Sequence, residues 1–395
     1  MKQKLSFANR IWIGFTLFSM FLGAGSLPFV PYLGFCAGSS LWRGMAGFWV
    51  SGVFLPLLGA GAAVSAGGLD KLAARIHPRC ALVFPLLFAL LLGPLFVLPK
   101  AAQASCLLNL LLFIEENSSQ NLYRCCLLGF FILVYLFSLR PERLSNRIGK
   151  VMVPCLLFLI ALIFIGCVFW PVGQRSVLSP SFAEHPFLFG FLKGYQGMGV
   201  VMSLACSVVF ILTIREKGVT SDNLIRREAF ITALIAGVLL TLIYGVLAFI
   251  GSLAGTGLPA ARNGTEILSW AANELYGKNG LYLLAVIFFI SCLNVSAGLI
   301  CCCSDIFSRQ FPKLPYPVWA AVFSGISFAV TVIRPELVFA FSLPVLNCIY
   351  PAVLVLLLLS LIHPWICRLP LLYPFCILAA VLAGIAANLE KIKLL

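Results

Sequence analysis

Charge is scarce in this chain, and acidic charge is scarcest. Asp and Glu number 13 in 395 residues, and charged residues of both signs make up 10%. A soluble protein of this length needs a charged surface, so a water-soluble globule is excluded. Histidine is limited to His77, His185 and His363, all in loops or at the ends of apolar runs. The aspartates are Asp70, Asp222 and Asp305, and neither they nor any glutamate falls in the middle of a run. An ionisable residue at the centre of a membrane helix costs about 2.5–3.5 kcal/mol, so a membrane enzyme or proton pump that carries one needs it. The chain has no paired carboxylates, no Ser/His pair within one run and no HExxH, which argues against an enzyme and against a resident metal.

What the chain has is apolar length: 62% of it is hydrophobic. Runs of about 20 apolar residues recur. They fall near 11–33, 42–64, 80–99, 122–139, 151–170, 187–213, 229–251, 280–303, 316–333, 337–361 and 370–388. This predicts an all-α polytopic membrane protein with about eleven transmembrane helices and a single membrane domain over 1–395. The opening MKQKLSFANR is followed by no small-residue cleavage site and reads as a cytoplasmic tail. The net charge of +14 comes from short alternate loops, including Lys71, Arg75 and Arg79, then Arg140 to Lys150, then Arg215 to Arg227. Positive residues mark the cytoplasmic side, so the N-terminus is placed inside and no nucleic-acid partner is called for.

Fifteen cysteines lie mostly within the apolar runs, where a thiol packs as a small hydrophobe. Cys301, Cys302 and Cys303 are consecutive, point in different directions from a helix and cannot converge on one metal. SAGGLDKLAARIHPR (Ser65 to Arg79) has the period of a short amphipathic interfacial helix. NGTEILSWAANELYG (Asn263 to Gly277) predicts a surface helix capped by Thr265 or Asn263 and ended at Gly277, serving as a gate or simply covering the bundle.

Two runs are written to come apart. FLGAGSLPFVPYLG (Phe21 to Gly34) places Gly23, Gly25, Pro28, Pro31 and Gly34 inside the first, and FLKGYQGMGVV (Phe191 to Val201) places Gly194, Gly197 and Gly199 inside the sixth. A broken helix frees backbone groups, which hydrocarbon penalises by several kcal/mol each. Such breaks in corresponding positions of two halves point to a transporter's binding site. Close helix packing through small residues is the alternative use of the same glycines.

The order of pieces resembles the branched-chain amino acid–cation symporters, the system II carrier proteins. GAGSLPFVPYLGFCAG, GGLDKLAARIHPR, GPLFVLPKAAQAS, FLKGYQGMG, REKGVT and SLPVLNCIYP carry that resemblance over nearly the whole chain. It implies a LeuT-type fold of two inverted five-helix repeats, about 11–170 and 187–361, with an extra C-terminal helix near 370–388. Helices 1 and 6 would be unwound at mid-membrane. Gly23, Ala24, Gly25 and Ser26 would offer backbone N–H groups to a substrate carboxylate. Tyr195, Gln196 and Gly197 would take the amino group and line the side-chain pocket. A sodium ion would sit among the carbonyls of Ser19, Leu22, Cys292 and Val295 and the hydroxyl of Ser296. Where the family often has an acidic residue, this chain has Gly199. The resemblance thus implies import of leucine, isoleucine or valine across the cell membrane by cation symport, with sodium as the transported ion and no cofactor. Proton coupling, exchange of other neutral amino acids, and a non-transporting scaffold or receptor are the alternatives.

Overall fold

The computed structural model describes residues 5–392 except 24–25, 114–119, 142–144, 171–172, 198, 256–257, 259–260, 262, 334 and 367–370. The first apolar run forms α1 (Phe7–Phe21) and α2 (Phe29–Ala37), separated where the glycines and prolines cluster. The second forms α3 (Leu41–Trp49) and α4 (Leu55–Ala66), and the basic loop after it forms the short α5 (Leu69–Ala74). Then follow α6 (Cys80–Leu90), α7 (Leu98–Phe113), α8 (Gln120–Ser138) and α9 (Val153–Phe169). A short α10 (Pro180–Glu184) precedes α11 (Pro186–Gln196) and α12 (Gly199–Glu216), the two pieces of the sixth run. The remainder is α13 (Asp222–Ser252), α14 (Gly264–Tyr276), α15 (Lys278–Gln310), α16 (Tyr316–Ile333), α17 (Pro335–Leu361), α18 (His363–Ile366) and α19 (Leu372–Ile392). Among the described residues every regular element is helical, and eight helical stretches are long and apolar enough to cross a membrane.

Prolines account for the widened turns. Leu91–Val97 is π-helical and contains Pro94, which lacks the N–H that an α-helical turn would use. The ladder resumes with the Leu98 N–H donating to the Gly93 carbonyl, one residue further back than in an α-helix. Val50–Phe54 widens in the same way just before Pro56. The predicted surface helix is present as α14: the Asn263 side chain accepts from the Glu266 N–H at 2.9 Å, and Gly277 ends it at φ +57°.

α15 forms the centre, packed against α1, α6, α7, α8, α9, α12, α14 and α16. Cys301, Cys302 and Cys303 are buried there; the Cys303 thiol lies 3.2 Å from the Ala89 carbonyl, a packing role that holds α15 to α6. Large apolar side chains instead face outward on the peripheral helices, among them Leu87, Phe158, Phe230, Leu234 and Leu242. An apolar exterior of this extent suits acyl chains rather than water. The protein is therefore a multi-pass membrane protein.

The loops that the charge pattern assigns to one side do come together. Arg10 grips Glu228 through two hydrogen bonds of 2.6 and 2.8 Å, and the Arg75 guanidinium donates to the Ser360 hydroxyl at 2.7 Å. Asp70, Lys71, Arg215, Asp305 and Arg309 line one crevice of about 210 Å³. His363 stands 3.0 Å from the Tyr373 hydroxyl at this end, and burial and the Arg75 charge push its pKa below the ordinary value. At the opposite end the Ser176 N–H donates to the Ser252 carbonyl and the Ser179 N–H to the Cys36 carbonyl.

Candidate functional site

α1 stops at Phe21 and α2 begins at Phe29. The freed groups find partners inside the protein. The Phe21 carbonyl accepts from the Ser26 hydroxyl at 3.1 Å and the Tyr244 hydroxyl at 3.4 Å, and the Leu22 carbonyl accepts from the Ser291 hydroxyl. The Gly23 N–H donates to Phe21, while the N–H groups of Ser26 and Leu27 both donate to Gly23. Glycine is required at 23 by crowding: a Cβ there would stand 2.6 Å from Cγ2 of Val295. The second break is narrower, with α11 ending at Gln196 and α12 starting at Gly199.

A cavity of about 320 Å³ lies between these two breaks. Gly23 and Ser26 contribute from the first break, Gln196, Gly197 and Gly199 from the second, and Val295 from α15. Apolar walls come from Met20, Phe21, Phe29, Leu92, Phe96, Val97 and Met202, with Lys100 and Asn347 adding polar groups. The widened turn carrying Pro94 precedes α7, so it sets the register of Leu92, Phe96, Val97 and Lys100 towards this space.

The residues read from the sequence divide into groups. Gly23, Ser26, Gln196 and Gly197 line the cavity together. Ala24 and Gly25 lie outside the described residues. Tyr195 is not in the lining: its ring packs against Tyr350 with centroids 4.1 Å apart. Of the residues assigned to a cation, Ser19, Leu22, Cys292, Val295 and Ser296 are all buried. The Ser19 hydroxyl donates to the Thr16 carbonyl at 2.9 Å. Val295 meets Gly23, whereas Ser296 is the next residue and so points about 100° round the helix from it. The Ser296 hydroxyl has no hydrogen-bond partner among the described residues.

Three functional candidates escaped the sequence reading. Lys100 was set at the edge of a run rather than in the cavity. Ser291, which reaches the Leu22 carbonyl, lies one turn before Val295 on the same face of α15. Asn294 is fully buried, and neither atom of its carboxamide has a partner among the described residues. An asparagine in the middle of a 33-residue apolar helix was the available signal.

The sequence matches the family described as branched-chain amino acid transport protein over residues 6–395. It is 34% identical to the branched-chain amino acid permease BrnQ of Lactobacillus delbrueckii subsp. lactis, covering 91% of this chain and 82% of that protein. It is 31% identical to the permease BraB of Bacillus subtilis, covering 100% and 88% respectively. It is 32% identical to the branched-chain amino acid transport system 2 carrier protein of Pseudomonas aeruginosa, covering 97% and 87%. These relatives are transport proteins, not enzymes. Among solved structures, MhsT in complex with L-phenylalanine superposes with a TM-score of 0.57 at 15% identity, over 97% of this chain and 100% of that one. Mhp1, a nucleobase-cation-symport-1 family transporter, superposes with a TM-score of 0.57 at 12% identity, over 97% and 92%. The fold is that of the LeuT-type transporters, and the chain belongs to the branched-chain amino acid transport protein family.

Proposed function

We propose that this protein imports leucine, isoleucine and valine across the cell membrane together with sodium, by alternating access. The observation that carries the reading is the cavity between the two helix breaks, apolar on most walls and polar at a few points. About 320 Å³ lined by Phe21, Phe29, Leu92, Phe96 and Met202 suits a branched aliphatic side chain. Gln196 and Asn347 supply carboxamide oxygens for the substrate ammonium. Sodium needs only oxygen ligands, and the Leu22 carbonyl with the Ser291 hydroxyl brings two of them together beside the break. The side chains of Asn294 and Ser296 on the same helix, without hydrogen-bond partners among the described residues, supply further oxygens. Two five-helix repeats, 11–170 and 187–361, would rock about this site, with the N-terminus on the cytoplasmic side.

The test is uptake of labelled leucine into proteoliposomes with sodium, pH and membrane potential varied independently. Uptake should be stimulated by sodium, electrogenic and little changed between pH 6 and 8. One charge moving through 100 mV contributes about 2.3 kcal/mol, equivalent to roughly fiftyfold accumulation at about 1.4 kcal/mol per tenfold. Leucine should be preferred over alanine by about 1–3 kcal/mol for each missing group that fills the pocket. Competition by glutamate or lysine as strong as by leucine would sink the substrate assignment. Uptake that ignores sodium and follows a pH gradient would assign coupling to protons, and Lys100 would be the titratable cavity group to examine first.

A further inference from the structure

Lys100 is the one cationic side chain lining the cavity among the described residues. Its Nζ stands 5.8 Å from the centroid of the Phe29 ring and 5.7 Å from that of Phe96. Aromatic faces attract an ammonium without neutralising it. Among the described residues no carboxylate lies within ion-pair distance of this nitrogen. A cation held in a low-dielectric cavity without a counter-charge is costly, and an anionic ligand relieves that cost.

The backbone of the first break leaves work for such a group. The N–H groups of Gly23, Ser26 and Leu27 already donate to carbonyls of the same segment. Phe29 and Val30 both donate to the Ser26 carbonyl, and Pro28 has no N–H. Of the amides that the Gly-rich break was expected to turn towards a carboxylate, those of Gly23 and Ser26 are thus committed to the break itself, while Ala24 and Gly25 lie outside the described residues.

We propose that the Lys100 ammonium is the fixed positive partner of the substrate carboxylate. This rests on the reading of the cavity as the amino-acid site, and it names the chemistry the cavity demands: a carboxylate at the Lys100 end and an apolar side chain against Phe21, Leu92 and Met202. The ammonium donates to a carboxylate oxygen, and the Phe29 and Phe96 rings keep water from competing for it. Amino alcohols and amines of the same shape would leave the lysine unpaired and are rejected. Loading exchanges a half-buried cation, without an ion-pair partner among the described residues, for a neutral pair, which makes closure around a filled cavity easier than around an empty one.

The experiment measures equilibrium binding to the purified full-length protein of leucine against leucinol, with alanine against alaninol as a second pair. Wild type should prefer each acid to its alcohol. Lys100→Gln should weaken binding of the acid by about ten- to a hundredfold, the loss of a charge-assisted hydrogen bond, and leave it no better than the alcohol. Lys100→Arg, which keeps the charge, should restore most of the preference. A folded Lys100→Gln protein that still favours the acid by the wild-type margin overturns the proposal, as does a loss that arginine fails to rescue. If wild type prefers the alanine pair to the leucine pair, the branched-chain assignment fails, while the acid-against-alcohol comparison still decides the role of Lys100.

Discussion

At the scale of single residues, the most consequential polar contact outside the cavity is the ion pair between Arg10 and Glu228. Glu228 is fully buried and Arg10 retains 22% side-chain exposure, so the pair fastens the start of α1 to α13 with little help from water. Removing one partner of a buried pair typically costs about 3–5 kcal/mol, because the other charge is left uncompensated. Arg10→Met should therefore lower the melting temperature in detergent markedly. Arg10→Met combined with Glu228→Gln should recover much of that loss, since no bare carboxylate remains. A double variant that melts no higher than Arg10→Met would show that the pair acts through something other than buried charge. The acidic partner escaped attention in the sequence because a count of mid-run carboxylates passes over one at a helix start. Lys100 escaped for the same reason, since its run was ended at residue 99 while the helix continues to Phe113.

Helices make visible why the breaks were legible and the site only half so. Glycine and proline spoil helix ladders by local geometry, and local geometry is what a sequence displays; both interruptions lie where Gly23, Pro28 and Gly197 put them. Which side chains then face the cavity depends on the rotation of each helix after its last irregular turn. The π-helical turn at Pro94 resets that rotation for Phe96 and Lys100, and Tyr195 is drawn instead to Tyr350 of α17. Glycines also hold the half-helices in place. A Cβ at Gly190 of α11 would overlap the Gly44 carbonyl of α3, and one at Gly251 of α13 would overlap the Pro31 carbonyl of α2. Helix 6 thus rests on helix 2, and helix 1 on helix 7, the reciprocal pairing that an inverted repeat produces. Close packing, the alternative use weighed for the break glycines, also holds at Gly194 and Gly199, where a Cβ would overlap Ser51 Oγ and stand 2.7 Å from Pro56 Cγ respectively. Gly190→Ala forces backbone apart at a crossing and should cost more than the roughly 1–3 kcal/mol of ordinary overpacking. Gly61→Ala, with nothing within 4 Å of the new carbon, should be neutral or slightly stabilising. Thermal inactivation of leucine binding measures both, and equal tolerance of the two changes would refute the crossing argument.

At the scale of the whole molecule, charge sorts the loops and packing agrees with the sorting. The segments carrying Arg10, Lys71, Arg75, Arg215 and Arg309 were assigned to one side from the positive-inside pattern alone, and they meet around Glu228, Ser360 and the crevice at Asp305. The segments carrying Cys36, Ser176 and Ser252 were assigned to the other side and bond to one another. Had one helix been missed or added in the sequence, loops from opposite sides would have been required to touch. The agreement was possible because side alternation depends only on the number of crossings before each loop, and needs no knowledge of how the helices pack. The basic residues then predict which side that is: the one facing the cytoplasm, where anionic lipid and the insertion machinery retain Lys and Arg. Exposed positions at the two ends test this directly. In right-side-out vesicles an impermeant maleimide should label Asn273→Cys on α14 above the wild-type background, and should leave Arg226→Cys at the start of α13 unlabelled. Permeabilising the vesicles should expose Arg226→Cys. The reverse pattern would turn the molecule over, and would put the crevice lined by Asp70, Arg215 and Asp305 on the outer face.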